Sequence, residues 1–160
     1  CGVTYGHHAI WQFCGPRNPG INHADRTWFE ALNRPGAEQV RYLRALLESR
    51  PFLSRIPDQG ILAADPGSGG QHVQATRDSN GSYLMVYLPT TRAISVHLQS
   101  LTGATVRGWW YAPRTGQLAH IGKVDKSSSP ATFTPPFEGP DWVLVLEDAT
   151  QFSLPPGVTE

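Results

Sequence analysis

The chain has 160 residues, 39% of them apolar and 16% charged, and its 13 basic and 13 acidic side chains cancel to zero net charge. That length suits one domain of ordinary size, or a small domain with an appendage. A low charged fraction combined with 16 Gly and 14 Pro excludes a coiled coil, a helical bundle and a disordered charged tail, and favours short strands joined by many turns. Neutrality removes the simplest electrostatic case for a nucleic-acid partner, and no run of eighteen apolar residues is present to span a membrane.

The first residue is Cys rather than Met and no signal-peptide pattern stands there, so the chain is expected to be a piece of something longer. Cys1 and Cys14 are too few for a disulfide scaffold and lack metal spacing, and nothing in the sequence supports a bridge between them. Val3–Tyr5 and Ala9–Phe13 are short apolar runs around Gly6-His7-His8. A first helix is predicted over Arg26–Leu32, with Asp25 as its N-cap. A second is predicted over Ala37–Ser49, with Pro35 near its start and Pro51 just past its end. Val40, Leu43 and Leu47, with Tyr42 and Leu46 beside them, give it one apolar face, while Arg41, Arg44, Glu48 and Arg50 keep to the other. This is a surface helix laid on a larger body, because one strand and two helices cannot close a core around that face.

The chain changes character near Arg55–Asp58. Residues 1–56 hold seven Arg against four acids, whereas residues 57–160 hold six basic residues against nine acidic ones, so the overall zero hides a mild polarity. The segment from Arg50-Pro51-Phe52 to Ile56-Pro57-Asp58 reads as a proline-fixed crossing whose Arg and Asp make structural pairs. Beyond it, His72–Arg77 and Tyr83–Leu88 flank Asn80-Gly81, a strong hairpin signal. Further strands are predicted at Ala93–Leu98, Thr105–Tyr111, Leu118–Val124, Ala131–Thr134 and Trp142–Glu147, the last a near-continuous apolar run expected to be central. About seven strands at this spacing indicate a mainly β fold, an immunoglobulin-like antiparallel β-sandwich. Pro66–Gly70 is a loop, and there is no internal repeat.

Chemistry-bearing residues are few. Eleven of the thirteen basic residues are Arg, which suits bidentate or stacked contacts but equally reflects a GC-rich genome. His7, His8 and His23 lack metal-binding spacing, since adjacent histidines on a strand point to opposite faces, so no metal and no cofactor is expected. A strand end whose His7, His8 and Trp11 line a ligand cleft is one reading; a buried strand with satisfied imidazoles is the other. There is no nucleophile elbow, P-loop or dinucleotide pattern. Asp25, Glu30, Glu38 and Glu48 read as helix-terminal or surface charges rather than as a glycosidase pair, and Asp78, Asp125, Asp141 and Asp148 as turn or strand-end residues. In Trp109-Trp110-Tyr111 one Trp should face the core and its neighbour outward, where it would stack on carbohydrate or collagen or cover a neighbouring domain.

Gly2-Val3-Thr4-Tyr5-Gly6-His7-His8-Ala9-Ile10-Trp11-Gln12 resembles the final barrel strand of apiosidase-like glycoside hydrolases. Trp28…Ala31-Leu32…Pro35-Gly36-Ala37 and Ser49-Arg50-Pro51-Phe52…Ile56-Pro57-Asp58 continue the likeness. So do Ser82-Tyr83…Val86-Tyr87-Leu88-Pro89, Trp109-Trp110-Tyr111…Pro113-Arg114-Thr115-Gly116, Phe133-Thr134-Pro135-Pro136 and Asp141–Leu146, so the resemblance covers nearly the whole chain. It implies that residues 1–56 are the C-terminal end of a (β/α)8 catalytic barrel and residues 57–160 an accessory β-sandwich, often labelled a collagen-binding domain of a collagenase. Tyr5, His7, His8 and Trp11 would then sit at the end of the eighth strand, the face where barrel enzymes place their active sites. The paired catalytic carboxylates would lie upstream of Cys1, so the chain alone would not catalyse. The implied partners are a polysaccharide or glycoside, the upstream barrel and, through Trp109 or Trp110, collagen or polysaccharide. The parent protein is expected to be secreted or periplasmic.

Overall fold

The computed structural model describes residues 6–158, so the apolar run Val3–Tyr5 at the start of the expected barrel strand, the site residue Tyr5 and Cys1 lie outside the described residues. The chain divides into two compact units, Cys1–Leu43 and Arg44–Glu160.

In the first unit, His7 is extended and its Nδ1 accepts the N–H of Ala9 at 3.1 Å, capping a short helix α1 over His8–Trp11. The histidine pair is therefore not set on alternating faces of a strand; it opens a helical turn, which ends at Phe13 with φ of 49°. Ala9, Cys14 and Ala31 form a small buried cluster, their short side chains letting α1 approach helix α2 (Trp28–Leu32). Gly20 belongs to the same packing, because a Cβ there would fall 2.7 Å from Cys14 Sγ. Helix α2 starts two residues later than predicted. Thr27 and Glu30 close a capping box in which the Thr27 N–H and hydroxyl both donate to Glu30 Oε2, at 2.9 and 2.6 Å. Asp25 instead pairs with Arg26. Helix α3 spans Pro35–Glu48, starting two residues before the predicted Ala37 so that Pro35 is itself the first helical residue, and runs on into the second unit. Of its apolar face, Leu46 is buried, and the Ser49 hydroxyl closes its end by donating to Leu46 O.

The second unit is the sandwich. Its strands are β1 (Arg55–Pro57), β2 (Gln74–Asp78), β3 (Tyr83–Leu88), β4 (Ile94–Val96), β5 (Val106–Tyr111), β6 (Leu118–Val124), β7 (Ala131–Phe133) and β8 (Trp142–Asp148). A six-stranded antiparallel sheet has the order β1-β2-β3-β8-β5-β6, and a two-stranded sheet pairs β4 with β7. All seven predicted strands are present. The eighth, β1, lies inside the predicted crossing, where Ile56 sits opposite Arg77. Its Pro57 is tolerated because β1 is an edge. The crossing also carries the expected pairs, Arg50 with Glu147 and Asp58 with Arg77. The Asn80-Gly81 turn forms as predicted: Gly81 has φ of 78° and Asp78 Oδ2 accepts from Ser82 N and Oγ.

Strand alternation separates two faces of the large sheet. Leu84, Val86, Leu88, Val106, Trp110, Leu144 and Leu146 point inward onto Ile94, Val96 and Phe133 of the small sheet. The opposite face, Tyr83, Met85, Tyr111, Val143, Val145 and Glu147, is also buried, so every residue of β8 is buried. That two-sided burial explains its unbroken apolar run, which a sheet with one solvated face would not need. The segment just after α3 and the tail after β8 help to cover this second face. Tyr83 donates to Pro51 O at 2.8 Å, its ring meets Phe152 at 6.2 Å, and Gly157 packs so tightly on Tyr111 that a Cβ would fall 2.6 Å from the ring. At the far edge, the β5–β6 register shifts between Gly108 and Trp109, and Gly122 of β6 has φ of 100°.

Candidate functional site

Within the first unit, a cavity of about 370 Å³ is lined by Gly6, His8, Trp11 and Gln12. Trp11 is 73% exposed, and its indole lies against Gly6, where a Cβ would come within 2.4 Å of its Nε1. Glycine thus makes room for the indole against the chain before α1, with most of the ring left to solvent. His8, at the start of α1, is exposed on the same cavity. His7 is half-buried and occupied with capping; because its Nδ1 accepts a hydrogen bond, the neutral ring carries its proton on Nε2.

Gln12 is the lining residue that the sequence reading missed. Its Oε1 accepts from Ile21 N at 2.8 Å and its Nε2 donates to Ile21 O at 3.1 Å, while Asn18 Nδ2 donates to Gln12 O at 2.6 Å. These bonds tie the loop after α1 to the cavity rim. A glutamine after an aromatic run carries no signal by itself, since its partner backbone is set by the fold of that loop.

The four acids of residues 1–56 are all engaged locally. Asp25 pairs with Arg26, Glu30 with the α2 cap, Glu38 with Arg41 and Glu48 with Arg44, and none of them lines the cavity. The Arg26 guanidinium holds the Asp25 carboxyl below the usual carboxylate range, and the Thr27 hydroxyl and N–H do the same for Glu30. Lowered carboxyls of this kind suit ion pairs and caps, not a proton donor. Among the described residues, no group of three or more His, Cys, Asp and Glu is placed to hold a metal ion, and no helix is long and apolar enough to cross a membrane.

In the second unit the two adjacent tryptophans part as strand alternation requires. Trp110 is 3% exposed and meets Trp142 edge to face at 6.3 Å, so it is closed to any surface ligand. Trp109 turns outward and remains partly exposed, its Nε1 donating to Glu147 Oε1 at 3.1 Å and its ring 4.4 Å from that of His120. Glu147 is fully buried and also receives Arg50 at 2.5 Å and Arg107 at 2.7 Å. Burial pulls the Arg50 guanidinium down, with the Glu147 carboxylate opposing it.

Fold and geometry define a β-sandwich joined to a short helical segment that offers an aromatic-edged cavity and, among the described residues, no carboxylate lining it. The chain belongs to the family described as "Putative collagen-binding domain of a collagenase", whose model matches residues 56–147. Residues 1–54 match the model described as "Apiosidase-like, catalytic domain". One similar solved structure, described as "Glycoside hydrolase", is 37% identical with a TM-score of 0.83, over 92% of this chain and 33% of that one. Another, described as a glycoside hydrolase family 5 from Bacteroides vulgatus ATCC 8482, is 31% identical with a TM-score of 0.82, over 96% of this chain and 35% of that one. The chain thus spans about a third of the length of these two proteins. No curated protein matches it. The two family matches, in this order, and the glycoside hydrolase neighbours support a C-terminal portion of a glycoside hydrolase.

Proposed function

We propose that residues 1–56 complete the barrel of a polysaccharide- or glycoside-hydrolysing enzyme, with the α1 cavity forming one wall of its substrate cleft, and that residues 57–160 are its accessory sandwich. The observation that carries this reading is Trp11, a large exposed indole set against Gly6 beside an exposed histidine and a cavity of about 370 Å³. An exposed indole presents an apolar plane to the C–H face of a sugar ring, and His8 supplies a hydrogen-bonding edge at its side. The acid and the base or nucleophile that cleave a glycosidic bond would come from the rest of the barrel, because the four local acids are spoken for. Exposed Phe13, Ile21, Phe29 and Leu32 fit the same reading, as surface against which that remainder packs.

The test is steady-state kinetics on the full-length enzyme. Trp11→Ala is expected to raise KM about tenfold or more while kcat changes less, as for lost binding common to ground and transition states. A wild-type KM in a folded Trp11→Ala enzyme would remove Trp11 from the cleft.

A second reading, a non-catalytic binding module for polysaccharide or collagen, is favoured by one observation: Trp109 is outward, fixed by Glu147 and beside exposed His120. Retention of the chain on insoluble polysaccharide or collagen, lost on Trp109→Ala, is its expected signature; no retention on either counts against it.

A further inference from the structure

The large sheet of the sandwich leaves little open surface for a ligand. Its inner face is core, and the outer face over β3 and β8 is buried apart from Tyr87. The outer flank stays open along β6 and partly open at Arg107 and Trp109 of β5, where Tyr111 is covered, and it differs in charge from the rest of the sandwich. Residues 57–160 carry nine acids against six basic residues, yet β5 and β6 contain no acid at all. Their outward positions hold Arg107 opposite Lys123 and Trp109 opposite His120. His120 and Lys123 are exposed, and the Arg107 side chain keeps 22% of its surface open.

Beneath this flank the single carboxylate of Glu147 is shared between two guanidinium groups, Arg50 and Arg107, so the buried cluster retains a positive surplus. Lys123 also acts on Asp125, just past the end of β6, but Asp125 Oδ1 is already taken by the Ser127 N–H at 2.9 Å. The flank therefore combines aromatic ring surface with cations that lack an equal number of facing acids.

We infer that this flank is an interaction surface for an acidic polysaccharide, a chain of uronate-bearing sugars, which deepens and rests on the binding-module reading. The Trp109 and His120 rings lie together at 4.4 Å, with the Arg107 guanidinium over the Trp109 ring, and their remaining exposed surface is offered to sugar C–H faces, while Arg107, two residues before Trp109, and Lys123 opposite it stand beside them to meet carboxylates. An acidic peptide would satisfy the cations and leave the ring surface without a partner.

Affinity electrophoresis of the full chain tests this, in gels holding a polyuronate, the same polymer fully methyl-esterified, a neutral glucan, or poly-glutamate. The expected result is retardation by the polyuronate that weakens about tenfold on esterification, and again in about 0.5 M salt. Lys123→Glu and His120→Ala should each weaken it, whereas Arg34→Glu, an exposed cation outside the flank, should not. Equal retardation by the acid and its ester overturns the acidic-sugar inference while leaving the binding module standing. Poly-glutamate binding as strong as polyuronate binding overturns the sugar part. Retention on no polysaccharide overturns both readings. An unchanged melting temperature confirms that Lys123→Glu reports on binding rather than on folding.

Discussion

Glu147 has no exposed surface, and its two oxygens take five N–H groups, from Arg50, Arg107 and Trp109. Its charge is affordable inside the protein only because these donors replace water at both oxygens. Glu147→Gln should therefore destabilise the sandwich by about 3–5 kcal/mol, as removal of one partner of a buried pair does. Urea denaturation checks this, and combining it with Arg50→Met should cost less than the two single changes added together. Nothing in the sequence pointed to this residue. Arg50 was singled out as half of a structural pair, but its partner stands 97 residues away, and sequence spacing carries no information over such a distance. The tryptophans were legible for the opposite reason. Alternation along a strand is local, so it separated Trp109 from Trp110 and left only the choice of which faced inward. Trp110→Ala should lose about 3–5 kcal/mol through the cavity it leaves in the core.

At the scale of elements, periodicity worked where elements are long and failed where they are held by single contacts. Helix α3 and the strands β2, β3, β5, β6 and β8 repeat long enough to be read, and the three-residue β4 and β7 stand out between turn-rich separators. Strand β1 has three residues, one of them proline, and becomes a strand only because β2 offers it an edge. Helix α1 has four residues and depends on the His7 cap, so an apolar run there gave no hint of helix. The start of α2 was legible in principle: Thr27 and Glu30 stand at capping-box spacing, a better signal than the lone Asp25. Thr27→Ala should cost about 1 kcal/mol, seen as lost helicity of the first unit by circular dichroism. The end of β8 should make stability depend on pH. Thr150 N–H and hydroxyl, with Gln151, hold the Asp148 carboxyl below its ordinary value. This contribution is complete above the unfolded-state pKa and fades as pH falls through the lower folded-state value. Between neutral pH and acid below that value, Asp148→Asn should show a smaller fall in melting temperature than the wild type.

For the whole molecule, the sequence anticipated a two-layer sandwich, and the structure adds a third covering. Tyr83, Tyr111 and Glu147 reach the tail after β8 through Phe152, Gly157 and the Arg50 and Arg107 bonds to Leu154 and Phe152 carbonyls. Burial on that side was hidden from sequence because the covering segments, residues 49–51 and the tail, are about a hundred residues apart in the chain. Truncation after Gln151 should uncover the aromatic face and lower the melting temperature by several degrees, with new binding of a hydrophobic dye as the second readout. The tail then acts as part of the core despite its position near the terminus.

The margins of the large sheet have a consequence for how copies of this protein behave together. At one margin Pro57 has no N–H to offer, and at the other Gly122 and the shifted register at Trp109 bend the ladder out of regular repeat. A stray strand from another copy finds a broken template at both sides. In a concentrated solution the protein should therefore resist stacking into fibrils, even though the Trp142–Leu146 run of its central strand is wholly apolar.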